Sequence, residues 1–313
     1  MSIRLITAAS ALPAQTLSNQ QLAEKFNIDT TDEWIQSRTG IQQRHMISGD
    51  ENTFTLALES TRKALASANI TPDQVGLIIV ATTTPTKAFP SIASMIQQEL
   101  GIVCPAFDLA AACSGFIHGL SVAQGMMESS KIDYALLIGA DTYTTLMNWQ
   151  DRTSCVLFGD GAGAVVLKRD EQSTDGIQAI EIGGDGNQQQ ALTANDENKL
   201  IMEGRTVYKV AVPAMVNAAE KLMAEHNLTI NDIDLLVPHQ ANARMLEAIA
   251  ERLGLPAERV IMTVGQHANT SAASIPLALA QAQADGRLQA DQQLLMLAFG
   301  AGFAFGGALV KWG

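Results

Sequence analysis

A phrase that occurs twice, 158 positions apart, limits what this chain can fold into more than any other feature. Ala68-Asn69-Ile70-Thr71-Pro72-Asp73-Gln74-Val75 leads into the apolar run Leu77-Ile78-Ile79-Val80. His226-Asn227-Leu228-Thr229-Ile230-Asn231-Asp232-Ile233 leads into Leu235-Leu236-Val237. Each copy follows a helix-like segment, 54–68 and 208–226, and sets polar turn residues before a short buried strand. The copies then stay in step. Residues 104–109 and 259–264 read as strands, and the small-residue runs 110–115 and 268–273 open helices reaching about 128 and 284. The strand-like runs 134–139 and 293–298 match, as do 159–168 and 302–311.

An internal duplication of this kind gives two halves, 1–170 and 171–313, each alternating strands and helices. Such halves fold as α/β units with mixed sheets covered by helices. The first helix of each half is expected at the centre, where Gly, Ala and Ser allow backbones to approach. Corresponding helix N-termini then converge on one pseudo-twofold centre. The segment from about 183 to 204, polar and rich in Gly, Asn and Gln, departs from the repeat. It reads as a surface excursion, either a lid or a pocket wall.

Composition removes several function classes. The 313 residues are 47% hydrophobic and 17% charged, enough apolar matter for a large core. A formal charge of −12 disfavours a general nucleic-acid surface, which needs a basic stripe. Three cysteines are too few for a disulfide scaffold. No run reaches 18 apolar residues, and residues 1–6 enter a strand-like pattern without a leader, so a soluble cytoplasmic protein is expected.

Three residues stand where chemistry is expected. Cys113 lies where a strand hands over to a helix, and unpaired N–H groups at a helix N-terminus favour a thiolate. A buried inert thiol is the other reading. His239 follows the strand 235–238, at the end where open α/β sheets hold ligands. Asn269 lies at another strand-to-helix passage and is also a plausible helix cap. All three fall at equivalent joints of the duplication. Cys104 and Cys155, inside strand-like runs, read as core. Cys113, His239 and His267 lack metal-ligand spacing. The glycines of 159–163 precede a β-like run instead of a helix, against a dinucleotide loop and for a sharp chain reversal.

Several phrases together, in order, are specific. They are Asp32-Glu33-Trp34-Ile35 with Arg38-Thr39-Gly40-Ile41 and Arg44-His45; Asp108-Leu109-Ala110-Ala111-Ala112-Cys113; Phe158-Gly159-Asp160-Gly161-Ala162-Gly163-Ala164; Pro238-His239-Gln240-Ala241-Asn242; and Asn269-Thr270-Ser271-Ala272-Ala273-Ser274. Over nearly its whole length the chain resembles the β-ketoacyl-[acyl-carrier-protein] synthases III of the thiolase superfamily. The resemblance implies a five-layered αβαβα fold and a Cys-His-Asn set at Cys113, His239 and Asn269. It implies a cytoplasmic homodimer that extends an acyl-CoA primer, acetyl-CoA by default, with malonyl-[acyl carrier protein] and needs no cofactor. The oxyanion donors are then the backbone N–H groups of Cys113 and Ala301. Trp34 and Arg152 would sandwich the adenine of CoA, with Arg38 on its phosphate and Arg205 at the pocket lip. Phe89 would close the partner's acyl pocket, and Lys209, Arg244 and Arg252 would dock the acidic carrier protein.

Two departures put a Cβ beside the chamber. Many relatives have Tyr-Gly-Asn where this chain has His267-Ala268-Asn269, and many have Gly at Ala301. Both changes are expected to tune pocket shape or primer choice without removing a catalytic atom, and Ser114 beside Cys113 is tolerable for the same reason. A longer or specialised primer is the nearest alternative. A biosynthetic thiolase would carry a second cysteine near the C-terminus, but none follows Cys155. A hydroxymethylglutaryl-CoA synthase would need a further general acid. A non-catalytic scaffold belongs to another class and would sooner have lost the three residues.

Overall fold

The computed structural model describes residues 2–313. The first half runs β1 (Ser2–Ala11), then the antiparallel pair β2 (Gln15–Ser18) and β3 (Gln43–Met46) enclosing α1 (Asn19–Phe26) and α2 (Asp32–Thr39). It continues with α3 (Thr53–Ala68), β4 (Val75–Ala81), α4 (Ile92–Leu100), β5 (Ala106–Leu109), α5 (Gly115–Ser130), β6 (Tyr134–Thr142) and β7 (Asp160–Asp170). The second runs β8 (Gly176–Gly184), the antiparallel pair β9 (Leu192–Ala194) and β10 (Leu200–Met202), α6 (Gly204–Glu225) and β11 (Leu235–Pro238). After these come α7 (Ala243–Leu253), α8 (Val264–His267), α9 (Ser274–Ala284), β12 (Gln293–Phe299) and β13 (Ala304–Lys311).

The two main sheets repeat one topology. The first has strand order β1-β7-β6-β4-β5 and the second β8-β13-β12-β11. In each, two antiparallel pairings lead into a parallel one. The repeated phrase folds alike in both copies. Asn69 and Asn227 leave their helices in the left-handed conformation, at φ 54° in both. Thr71 and Thr229 then close capping boxes with Gln74 and Asp232 ahead of the strand.

Alternation along the strands makes the layers. Leu77 and Ile79 of β4 face a core shared with α5, α9 and the second sheet, while Ile78 and Val80 face α3 and α4. Leu294 and Met296 of β12 join that same central core, and Leu295 and Leu297 face α6 and α7. The order is helix, sheet, helix, sheet, helix: the five-layered αβαβα fold. The central layer is α5 and α9. The helices that open each repeat unit, α3 and α6, lie on the outer faces, contrary to the expectation above. Only the helices with a small-residue entrance fit between two sheets. A Cβ on Gly163 of β7 would stand 2.8 Å from the backbone of Pro276 and Leu277 in α9. Gly161 and Gly163 therefore serve close approach within a strand, not a chain reversal.

Two more local expectations change. Residues 259–264 form no strand: one bridge joins Val260 to Leu236, and α8 follows. Gln240 does the holding instead. Its side chain donates to the carbonyls of Pro238 (2.8 Å) and Ile261 (3.0 Å) and accepts from the N–H of Thr263 (2.7 Å) and Val264 (3.0 Å). Cys155 is buried but lies in a turn, and Cys104 is only half-buried, before β5 begins.

Candidate functional site

The three joints meet at one cavity of about 740 Å³, lined by Cys113, His239 and Asn269 together. Cys113 sits in a 3-10 turn, Ala112–Ser114, that runs directly into α5. Ala112 enters that turn at φ 45°, a left-handed conformation that costs a residue with a side chain about 1–3 kcal/mol and persists where surroundings enforce it. His239 prolongs β11, its N–H donating to the Leu297 carbonyl at 2.7 Å, before the chain turns away to α7. Asn242 then caps α7 by accepting from the Met245 N–H at 3.0 Å. Asn269 is pinned by its backbone: its N–H donates to Leu157 and its carbonyl accepts from Gly159. Its Oδ1 accepts the Ser271 N–H at 2.8 Å, so the amide presents its Nδ2 donor as the free end.

Burial sets the electrostatics. Desolvation pushes the Cys113 thiol up to about 12; the nearby Ser271 hydroxyl opposes the shift and the Asp141 carboxylate adds to it. The thiol therefore rests protonated, where the position at a helix entrance alone predicts a thiolate. His239 is 3% exposed, and desolvation holds its imidazole neutral with a pKa of about 4. Its Nδ1 has no partner among the described residues. Two neutral donors, imidazole and amide, thus share one cavity with a neutral thiol.

The departures at Ala268 and Ala301 differ in consequence. Ala301 follows Gly300 at φ −147°, ψ 179° and needs no left-handed backbone; Gly302 takes that conformation, at φ 73°. Ala268 adopts φ 57°, ψ −161°, a region that glycine enters freely and alanine does not. It is fully buried. Beside it His267 is buried and held neutral near a pKa of about 4, by desolvation first and the nearby His45 second.

Trp34, Arg38, Arg205 and Ala301 line the same cavity. Arg152 stands over the Trp34 ring, its guanidinium carbon 5.3 Å from the ring centroid, and donates to the Asp29 carbonyl at 2.6 Å. The segment 183–204 is a wall of this cavity: Gln189, Leu192 to Ala194, Leu200 and Met202 all face it. Phe89 lies elsewhere, 83% exposed on the loop after β4. Lys209 and Arg244 are exposed one residue from cavity-lining Tyr208 and Met245, and Arg252 is exposed two turns further along α7.

Sequence reasoning passed over Asp141, Tyr143 and Ser271. Asp141 is fully buried behind Cys113, and the Ser271 hydroxyl lies between the Cys113 thiol, Asp141 and the Tyr143 hydroxyl without an aligned bond. The signal was present as an acid closing the apolar run of residues 135–140. A buried carboxylate at a strand end needs a reason.

Comparison with known proteins agrees with this geometry. Family models for 3-oxoacyl-[acyl-carrier-protein] synthase III match residues 107–186, and for its C-terminal part residues 223–312. A β-ketoacyl-[acyl-carrier-protein] synthase III of Rhizorhabdus wittichii is 48% identical, over 98% of each chain. The crystal structure of the 3-oxoacyl-[acyl-carrier-protein] synthase III of Aquifex aeolicus superposes with a TM-score of 0.96 at 39% identity. It covers 99% of this chain and 100% of that one. The corresponding Pseudomonas aeruginosa structure gives 0.94 at 38%, covering 100% and 98%. From repeat, layers, chamber and likeness together, the chain belongs to the 3-oxoacyl-[acyl-carrier-protein] synthase III family of condensing enzymes.

Proposed function

We propose that this enzyme condenses an acyl-CoA primer, acetyl-CoA by default, with malonyl-[acyl carrier protein] through an acyl-Cys113 intermediate. The products are a 3-oxoacyl-[acyl carrier protein], CoA and CO₂. The observation that carries the reading is the single cavity on which a thiol, an imidazole and an amide converge from three distant phrases, with Trp34 and Arg38 on its wall.

In the first half-reaction the Cys113 sulfur attacks the thioester carbonyl. Because burial keeps the thiol protonated, its proton leaves as the S–C bond forms. That proton ends on the departing CoA sulfur, so that acyl-enzyme and free CoA form together. The tetrahedral oxygen takes hydrogen bonds from the Cys113 and Ala301 N–H groups. Trp34 and Arg152 take the adenine, Arg38 the phosphates, and Arg205 the lip.

In the second, the malonyl C–C bond to the carboxylate breaks, CO₂ leaves, and the electron pair becomes an enolate. His239 and Asn269 donate to its oxygen, each donor worth about 2.7–4 kcal/mol at a developing oxyanion. The enolate carbon attacks the acyl carbonyl, the C–S bond breaks with its electron pair on sulfur, and the Cys113 thiolate takes up a proton from solvent, its own having left with CoA. A neutral imidazole suits this step because it donates without first giving up an ionised proton. Lys209, Arg244 and Arg252 form the local basic patch for an acidic carrier protein on a chain whose net charge is −12.

The reading includes a cytoplasmic homodimer in which Phe89 closes the partner's acyl pocket. The exposure of this large apolar side chain in the single chain supports it. No helix among the described residues is long and apolar enough to cross a membrane.

The test offers the protein acetyl-CoA and octanoyl-CoA, then malonyl-carrier protein, with mass spectrometry of protein and product. Acyl mass on Cys113 followed by a chain two carbons longer is expected. A Cys113→Ala protein that still acquires the acyl group would overturn the nucleophile. An Asn269→Ala enzyme is expected to acylate but decarboxylate poorly.

A further inference from the structure

Both halves build the same helix entrance, residue for residue. Ala112 answers to Ser271, Gly115 to Ser274 and Tyr134 to Gln293, each 159 positions on. Ala112 and Ser271 even share the left-handed backbone, at φ 45° and 51°. By the same count Cys113 answers to Ala272, and Asp141 to Gly300.

The two entrances are finished differently. At the second, the Ala272 N–H donates to Asp141 Oδ2 at 3.2 Å. Asp141 Oδ1 is held in turn by the Thr83 N–H at 2.9 Å and by the hydroxyls of Thr82 (3.1 Å), Thr83 (3.4 Å) and Thr84 (2.9 Å). At the first, Gly300 stands in place of the carboxylate, and a Cβ there would lie 2.8 Å from the Cys113 nitrogen and 3.0 Å from that of Ser114. One entrance is closed by a side chain and the other is left bare.

We propose that Asp141 is a positioning residue of the condensation step: by filling the entrance to α9 it fixes the Asn269–Ser271 turn and with it the direction of the Asn269 amide. The inference rests on the roles given to Cys113 and Asn269 above. The carboxylate belongs to the first sheet and the turn to the second half, so Asp141 ties the element carrying Asn269 to the loop 82–84 beside Cys113. Ser271 holds a costly backbone conformation while its N–H orients the Asn269 Oδ1, and such a conformation needs an anchor. A charge-assisted bond to the next N–H supplies one. Burial raises the pKa of Asp141 and the surrounding donors oppose the rise.

The test uses the full-length Asp141→Asn enzyme and measures the half-reactions apart. These are Cys113 acylation by acetyl-CoA, read by intact-protein mass, and CO₂ release from malonyl-carrier protein. Decarboxylation kcat is expected to fall about 10- to 100-fold, with KM within about twofold and acylation within about threefold. Equal losses in both half-reactions, or unchanged decarboxylation, would overturn the proposal. If Asp141→Asn does not fold, Thr82→Val decides the matter: it removes one hydroxyl from the carboxylate and should slow decarboxylation alone, by about threefold. Equal slowing of both half-reactions, or of neither, counts against Asp141. Asn269→Ala is run alongside. If it decarboxylates at the wild-type rate, the role of Asn269 falls. If it is slow while Asp141→Asn is fast, only the inference about Asp141 falls.

Discussion

Gly300→Ala is the sharpest probe of the acylation chemistry. The backbone of Gly300, at φ −147° and ψ 179°, is extended, so alanine suits it and the substitution acts through space alone. The new Cβ would stand 2.8 Å from the Cys113 nitrogen, where ordinary contact begins at 3.4 Å, so one or the other must move by about 0.6 Å. It would also meet Ser114 N at 3.0 Å and the Ala111 carbonyl at 3.2 Å, both backbone, which leaves no flexible side chain to give way. Oxyanion donors work over about 2.7–3.1 Å, so a shift of that size removes the Cys113 N–H from use. Losing one such donor costs about 2.7–4 kcal/mol, or about 10²- to 10³-fold in the acylation rate. Overpacking should lower stability by about 1–3 kcal/mol as well. Rapid-quench acylation with acetyl-CoA, normalised to folded protein by thermal melting, measures the first effect apart from the second. Acylation within about tenfold of wild type in a folded enzyme would refute the placement of the oxyanion beside Gly300.

Other outcomes follow from the same structure. His239 and His267 are neutral when folded, with pKa of about 4 against 6.5, so the unfolded chain binds more protons between those values and stability falls on acidification. Each should cost about 2 kcal/mol between pH 7 and pH 5, while Asp160, raised by burial to about 6, and Asp108 and Asp141, also raised by burial, act in the opposite sense. A His267→Gln protein whose urea midpoint changes between pH 7 and pH 5 as the wild type's does would contradict this. Arg244→Glu should raise KM for malonyl-carrier protein about tenfold and leave acylation by acetyl-CoA unaltered; equal effects on both would remove Arg244 from the docking patch. Phe89→Ala should alter the acetyl-to-octanoyl preference, and analytical ultracentrifugation should find a dimer at micromolar concentration. A monomeric wild-type enzyme would leave Phe89 without its role.

What could be read from the sequence divides by the range of the contact responsible. The duplication was legible because capping boxes at Thr71 and Thr229 and the runs after them are local patterns. Cys113 and His239 were legible because each follows a strand within its own phrase, and Asn269 because it stands before the second small-residue helix entrance. The bare or filled state of a helix entrance was not legible. Asp141 meets Ala272 from 131 positions away, and Gly300 meets Cys113 from 187 positions away. Residues 259–264 looked like a strand because their apolar content is right. In the fold they are held by three bonds from the Gln240 side chain, which no periodicity announces. The thiolate expected at a helix entrance gave way because burial, a property of the assembled halves, outweighs the local field.

The stacked Arg152 and Trp34 carry one more consequence. Their 5.3 Å separation is too narrow for a flat base, since two layers of van der Waals contact require about 7 Å. On the adenine-binding role proposed for this pair, the arginine therefore fills the seat the base would take. A coenzyme tail then settles only after the arginine swings away and releases the Asp29 carbonyl. On that reading, admission is an exchange of one cationic stack for another.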